Sequence, residues 1–161
     1  MLKYRLLQEK DIKKIQNLAL KAWFFTYKGI YTEKTIRKEV AKFYSDKNFK
    51  RFIDRINKEK DYFIVAIDKS DVLGYAHIGL KNNIWELHRL YVNPYQIGKG
   101  IGSRLVHLIE KFLKSKRAKK YIIYPHIKNK IAIRFYHKIG FRREKLKDRS
   151  KSSICFQKYL I

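Results

Sequence analysis

The residues best suited to chemistry lie in one stretch of the 161-residue chain, Glu86-Leu-His-Arg-Leu-Tyr-Val-Asn-Pro-Tyr-Gln-Ile-Gly-Lys-Gly-Ile-Gly-Ser-Arg-Leu-Val106. Glu86 is a carboxylate on an otherwise largely apolar run, in a chain with 14 acidic residues against 39 basic ones. On a strand of period two, Glu86, His88, Leu90 and Val92 point to one face and Arg89 to the other. His88 brings an imidazole, the side-chain type best suited to exchanging protons near neutral pH. After Asn93-Pro94 come Gly98, Gly100 and Gly102, then an apolar series at spacings of three and four from Ile101 to Leu113. Strand, glycine turn and amphipathic helix follow one another. Glycines let a backbone approach a ligand closely, and the free amides and dipole of a helix start attract anions. A phosphate or pyrophosphate cradle is the first expectation. It is neither a P-loop, since Asn93 stands where the first glycine belongs, nor a dinucleotide fingerprint, whose last glycine falls on Ser103 or Leu105.

The elements that must position this stretch are legible in order. Residues 2–7 make a first strand. Gln8 to Phe25 carries apolar residues at helical spacing. Gly29 can end that helix and Thr32 can cap the next, Thr35 to Tyr44. A further helix runs from Phe49 to Ile56. From Asp61 the period changes: Tyr62–Ile67 and Val72–Leu80 form a hairpin around Asp68-Lys-Ser-Asp71, and Ile84–Val92 completes a meander. Gly74 inside its strand points to a bulge or a close approach. The glycine turn and helix run to about Lys116. Tyr121–Tyr124 is a further strand and Asn129–His137 a short helix ended by Gly140. Phe141–Leu146 and Ser153–Tyr159 read as two last strands joined by a charged turn. This predicts an α+β, or mixed α/β, fold with one central sheet.

At 161 residues, with 45% apolar and 15% aromatic content, the chain is expected to be one globular domain, residues 1–161. No apolar run approaches eighteen residues, and the N-terminus does not resemble a signal peptide, so a cytoplasmic protein is expected. Cys155 is alone, which excludes an intrachain disulfide. His77, His107, His126 and His137 lack the spacing or carboxylate partners of a metal site, and no metal is expected. The net charge of +25 favours contact with polyanions. The basic residues are spread along the chain rather than gathered in a tail, as on a solvated lysine-rich surface.

With these residues in place, the chain resembles the GNAT superfamily of N-acetyltransferases. The strand–turn–helix is similar to the family's acetyl-coenzyme A motif, Gln/Arg-x-x-Gly-x-Gly/Ala. Asn129-x-x-Ala132-x-x-Phe135-Tyr136-x-x-x-Gly140-Phe141 is similar to its second motif. The element order agrees over essentially the whole length. The segment from Trp23 through Thr26-Tyr-Lys-Gly-Ile-Tyr31 also resembles the PaiA-like branch, whose members acetylate polyamines and related amines. One position departs: the motif's Gln/Arg falls on Ile97, with Gln96 one residue early, which leaves side-chain help to Lys99 and Arg104.

The resemblance implies a central, mostly antiparallel, twisted sheet of about seven strands flanked by helices. It implies transfer of acetyl from acetyl-coenzyme A to a primary amine by direct attack. Tyr136 would be the general acid, its phenol protonated at neutral pH. Glu86 would be the general base, often through water in this family, with His88 its rival. The main chain of Leu90 and Val92, with Tyr91 between them, would meet the pantetheine and the acetyl carbonyl. Ile97, Gly98, Lys99, Gly100, Ile101, Gly102 and Ser103 would hold the pyrophosphate. Asn129 and Phe135 would contact the cofactor, and Lys128 or Lys130 the 3′-phosphate. Trp23, Tyr27 and Tyr31 would line the acceptor pocket, where aromatic faces suit a cation and Glu33 adds charge. The acceptor is a small amine, a polyamine, or a peptide or protein amine, and the enzyme a monomer or homodimer. The alternative of another class is a non-catalytic nucleic-acid-binding module on the same scaffold.

Overall fold

The computed structural model describes residues 1–161. The chain builds β1 (Lys3–Leu6), α1 (Ile12–Tyr27), α2 (Glu33–Phe43) and α3 (Asp46–Asn57) first. A meander follows, β2 (Asp61–Asp68), β3 (Asp71–Lys81) and β4 (Ile84–Val92). Then come α4 (Ile101–Ser115), β5 (Lys120–Ile123), α5 (Lys130–Lys138), β6 (Arg142–Arg143) and β7 (Phe156–Tyr159). The seven strands form one sheet in the order β1-β2-β3-β4-β5-β7-β6. Every neighbouring pair is antiparallel except β4–β5. The mixed α/β class, the seven strands and the flanking helices are as the sequence led us to expect.

Local signals set the boundaries. Thr32 caps α2 through the Thr35 amide (3.1 Å), and Ser45 caps α3 through that of Asn48 (3.2 Å). Gly140 takes φ +99° just beyond α5, where the Phe141 amide donates to the Tyr136 carbonyl at 2.9 Å. Two apolar layers cover the two faces of the sheet. On one side Ile15 and Leu18 of α1, Ile36 and Val40 of α2, and Phe49 and Phe52 of α3 pack on Phe63, Val65 and Tyr75. On the other, Ile101, Leu105, Ile109 and Leu113 of α4 pack on Ile64, Ala76 and Ile78, joined by Tyr136 of α5. Gly74 provides the close approach expected of it. The strand register slips beside it, and a Cβ there would stand 3.1 Å from Ile101 Cγ2 and 3.1 Å from the Tyr91 carbonyl.

Two expectations are corrected. The first concerns strand parity. His77 pairs with Arg89 and Ile78 with Leu87, which leaves His88 as the extra residue of a β-bulge. The bulge reverses the alternation. Trp85, Leu87, Leu90 and Val92 face α4, while Tyr91 faces the α1–α3 layer. Glu86 therefore shares its face with Arg89 and Tyr91, not with Leu90 and Val92. The second concerns the last hairpin. Strand pairing covers only Arg142–Arg143, and β7 begins at Phe156 rather than Ser153. Asp148 explains the shortening: its side chain pairs with Arg143 and accepts from the Cys155 amide at 2.7 Å, so the intervening segment folds as a loop around it.

Candidate functional site

The parallel β4–β5 pair is matched at two positions only, Trp85↔Tyr121 and Glu86↔Ile122. Beyond them the strands part, and the rest of β4 has no neighbour on that side. The Asn93 amide donates to the Leu73 carbonyl across β3 at 2.8 Å. By strand alternation the Val92 and Leu90 amides then point away from β3, into the gap. A cleft of about 690 Å³ opens there, spanning from the aromatic side chains of α1 to the start of α4 and the inner side of α5.

The glycine turn forms one wall. Gly98 and Gly100 adopt φ of +86° and +81°, a left-handed conformation that favours glycine, and a Cβ at either position would meet no protein atom within 4 Å. The first intrahelical bond of α4 runs from the Arg104 amide to the Gly100 carbonyl at 3.0 Å. The amides of Ile101, Gly102 and Ser103 are thus left without a protein acceptor at the positive end of a 15-residue helix. Gly102 lies beneath Phe135 and Val92, 3.7 Å from each for an added Cβ. Asn129 caps α5 through the Ala132 amide (3.1 Å), which fixes the near end of the second motif.

The other wall is aromatic. Trp23 and Tyr27 of α1 lie 4.7 Å apart, centroid to centroid, and Trp23 stacks on Tyr91 at 6.4 Å. The Tyr27 and Tyr91 hydroxyls are 3.3 Å apart. Tyr136 reaches in from α5, buried beside Phe135 and Phe141, with no protein partner for its hydroxyl. Burial, with a further contribution from Tyr27, pushes its ionisation well up and keeps it a proton donor.

Glu86 lies at the base of the gap, buried at 6% exposure. Its Oε2 accepts from Arg149 at 2.6 Å and its Oε1 lies 3.3 Å from His88 Nδ1. Burial works against ionisation, but the contacts with His88 and Arg149 outweigh it and hold the carboxyl at about 2. Behind Glu86 runs a buried polar chain with no counterpart in the sequence expectations. Arg55 Nε donates to Asp61 Oδ1 (2.8 Å), Asp61 Oδ2 bonds His77 Nε2 (2.8 Å), and Arg89 bonds His77 Nδ1 (2.9 Å). Burial first, then the nearby Arg89 and His88, bring His77 down to about 3 despite its bond to Asp61. The imidazole is thus neutral, donating to Asp61 and accepting from Arg89. Arg89 also donates to the Phe43 carbonyl (3.1 Å) and lies over the Tyr44 and Phe52 rings.

Most of the expected residues meet in this cleft: Trp23, Tyr27, Glu86, His88, Leu90, Tyr91 and Val92 on one side, and Ile97, Gly98, the Gly100–Ser103 run, Asn129, Phe135 and Tyr136 on the other. Lys99 does not line it; its exposed side chain leaves the turn on the solvent side. Arg104 is likewise absent from the wall, as are Lys128 and Lys130. Tyr31 stands outside too, edge-on to His126 at 5.6 Å. Glu33 is exposed and paired with Arg37 at 2.9 Å. The sequence reading missed Arg149, Tyr124, Arg89 and Lys138, which the cleft does include. Arg149 and Tyr124 belong to no motif and meet Glu86 only through the fold. No group of three or more His, Cys, Asp or Glu side chains is placed to hold a metal, and no helix is long and apolar enough to cross a membrane.

The same architecture occurs in solved acetyltransferases. The PaiA N-acetyltransferase of Thermoplasma acidophilum, crystallised in complex with coenzyme A, superposes with a TM-score of 0.92 at 29% identity, covering 99% of both chains. The ribosomal-protein-S18-alanine N-acetyltransferase of Escherichia coli shares the fold at a TM-score of 0.68 and 14% identity, over 99% of this chain and 94% of the other. By sequence, the spermidine N(1)-acetyltransferase of Thermoplasma acidophilum is 32% identical over 141 residues, 87% of this chain and 88% of that one. The model of the Acetyltransferase (GNAT) family matches residues 18–141, from the aromatic face of α1 to the glycine-ended α5. The splayed strands, the glycine turn and the Asn129–Phe141 segment are thus those of the GNAT acetyltransferases, the family to which this chain belongs.

Proposed function

We propose that the protein acetylates a small primary amine, with a polyamine such as spermidine as the leading acceptor, and that Glu86, His88 and Tyr136 carry the proton transfers. Family membership makes the chain an acyltransferase enzyme, so the non-catalytic nucleic-acid module is set aside. Acetyl-coenzyme A supplies the activated acetyl group as a thioester. The residues present suit it: outward-turned glycines, unpartnered amides at the start of α4, and strand amides facing the gap. The Gly98–Ser103 turn binds the pyrophosphate, and the Leu90 and Val92 main chain orients the thioester arm. The observation that carries the reading is the shared opening of β4 and β5. It brings a carboxylate, a protonated phenol and free amides to one cleft.

The acceptor half of the cleft favours a cation. Glu86 stays ionised at its floor, and the rings of Trp23, Tyr27 and Tyr91 line the same cleft further along β4. Held at about 2, Glu86 is a weak proton acceptor by itself. The Glu86–His88 pair, in contact at 3.3 Å, is the base: the carboxylate grips the ammonium and takes its proton, which passes on to the His88 imidazole and leaves the free amine to attack the thioester. Tyr136 holds the proton destined for the departing thiolate. A peptide amine is the second reading, favoured by Arg89 and Arg149 in the wall, which suit an acceptor carrying oxygen groups beside its nitrogen.

A thiol-release screen with acetyl-coenzyme A against spermidine, spermine, amino acids, aminoglycosides and peptides tests both. Turnover with polyamines, and a kcat about a hundredfold lower for Tyr136→Phe, is expected. Full turnover by that variant at every pH would remove Tyr136 from the mechanism. Activity confined to peptides would move the acceptor to the second reading.

A further inference from the structure

The cation that meets Glu86 in this structure belongs to the protein itself. Arg149 comes from the loop between β6 and β7, far from Glu86 in sequence. Its guanidinium donates to Glu86 Oε2 at 2.6 Å and lies 3.8 Å over the Tyr124 ring. A carboxylate below and an aromatic face beside it are the two features that bind an organic cation. Both Arg149 and Tyr124 line the cleft, as does Glu86. The backbone of the loop is tied down independently of that side chain. The Arg149 amide bonds the Ser153 carbonyl (3.0 Å), the Ile127 amide bonds the Ser152 carbonyl (2.8 Å), and the Ile154 amide bonds the Pro125 carbonyl (3.2 Å). Cys155 is fastened to Asp148. The side chain is about half exposed, while Glu86 is buried. Arg149 can therefore swing out by rotamer changes alone, whereas Glu86 cannot follow it.

We propose that Arg149 is an intramolecular stand-in for the acceptor's ammonium, occupying the Glu86–Tyr124 cation subsite until the substrate displaces it. The inference rests on the cationic-acceptor reading above and adds the subsite and its resident competitor. Two consequences follow. The buried carboxylate is never left unpaired between turnovers, which would be costly. The apparent affinity for an amine is reduced by the fraction of molecules in which the arginine holds the subsite. A mono-cation too weak to displace the arginine is excluded, so Arg149 acts as a selectivity filter favouring acceptors with several charges.

The test compares the wild type with Arg149→Ala, and with Lys151→Gln, which removes the same charge from the same loop at an exposed side chain without a partner. The KM for spermidine is expected to fall about three- to tenfold in Arg149→Ala, and by less than twofold in Lys151→Gln, with the KM for acetyl-coenzyme A little changed in both. Methylguanidinium chloride provides a probe independent of turnover. It should raise the melting temperature of Arg149→Ala and inhibit it competitively against spermidine. It should do neither for the wild type, nor for the double variant Arg149→Ala with Glu86→Gln. A spermidine KM that is unchanged or raised in Arg149→Ala, together with no differential response to methylguanidinium, overturns the proposal. If methylguanidinium discriminates as expected while spermidine is neither bound nor acetylated by any form, the subsite stands and the polyamine reading falls.

Discussion

His88 decides which way Glu86 looks. As the extra residue of a bulge it turns the carboxylate toward α1–α3 while Leu90 and Val92 keep to α4. Gly79 makes room for this, since a Cβ there would stand 2.7 Å from Asp61 Oδ1 and 2.9 Å from His88 Nε2. Next to it, His77 links the site to stability. Its pKa is 6.5 in the open chain and about 3 in the fold, so between those values the unfolded chain binds the extra proton. Stability is therefore full above pH 6.5 and lost as the pH falls. Glu86 and Asp61 are depressed as well, burial opposing them and their ionic partners prevailing, so their contributions are lost only below about 4.5 and 3.8. Partly exposed His126 adds a smaller effect of the same sign as His77. Between pH 7 and 5, urea titrations should show the wild type losing about 2 kcal/mol on account of His77. His77→Gln should lose far less over that interval, whatever its absolute stability; parallel losses would show that His77 is not the source. Protonation also places a donor on Nδ1 against the Arg89 guanidinium, so acid should loosen Arg89 before the fold fails.

At the level of elements, the glycine turn and α4 act as one unit pressed onto the sheet at Gly74. Gly100 is the residue of that unit where geometry and ligand approach can be separated. Its φ of +81° costs an alanine about 1 kcal/mol, and no protein atom obstructs the added methyl. Gly29, at φ +79° and equally unobstructed, carries the same strain away from the cleft. Gly100→Ala and Gly29→Ala should thus lose similar stability in chemical denaturation. Only Gly100→Ala should raise the KM for acetyl-coenzyme A, by about tenfold, the factor of a lost 1.4 kcal/mol of binding. An unchanged KM would mean the anion does not approach this turn.

Across the whole molecule, the +25 charge sets a field that the local site must work against. It draws in the anionic co-substrate and repels a cationic acceptor. Raising ionic strength from about 10 mM to about 150 mM shortens the screening length from about 30 Å to about 8 Å. Over that range kcat/KM for spermidine should rise while the KM for acetyl-coenzyme A increases. Salt effects of the same sign on both substrates would show that the net positive charge does not govern their approach. The fold alone does not choose the acceptor, since polyamine and protein acetyltransferases share it.

Much of this was legible in one dimension. Helical and strand periods, caps at Thr32 and Gly140, and glycines at 98, 100 and 102 are local properties, each dictated by backbone sterics and burial within a few residues. Together they determined the element order and the glycine turn, while Trp23, Tyr27, Asn129, Phe135 and Tyr136 were legible only through the resemblance to the GNAT family, which also named Tyr31 and Lys99, neither of which lines the cleft. What the sequence could not determine depends on which residues meet across the sheet. A single-residue bulge at His88 is invisible to a period of two, yet it reverses the face of Glu86. The Arg55–Asp61–His77–Arg89 chain draws on α3, β2, β3 and β4, and its hydrogen bonds exist only once those elements pack. Arg149 lies 63 residues from Glu86. Only the closed sheet, with β7 beside β5, brings that cation to the carboxylate, because a charge–charge contact at 2.6 Å is a property of distance in space and leaves no period in the chain.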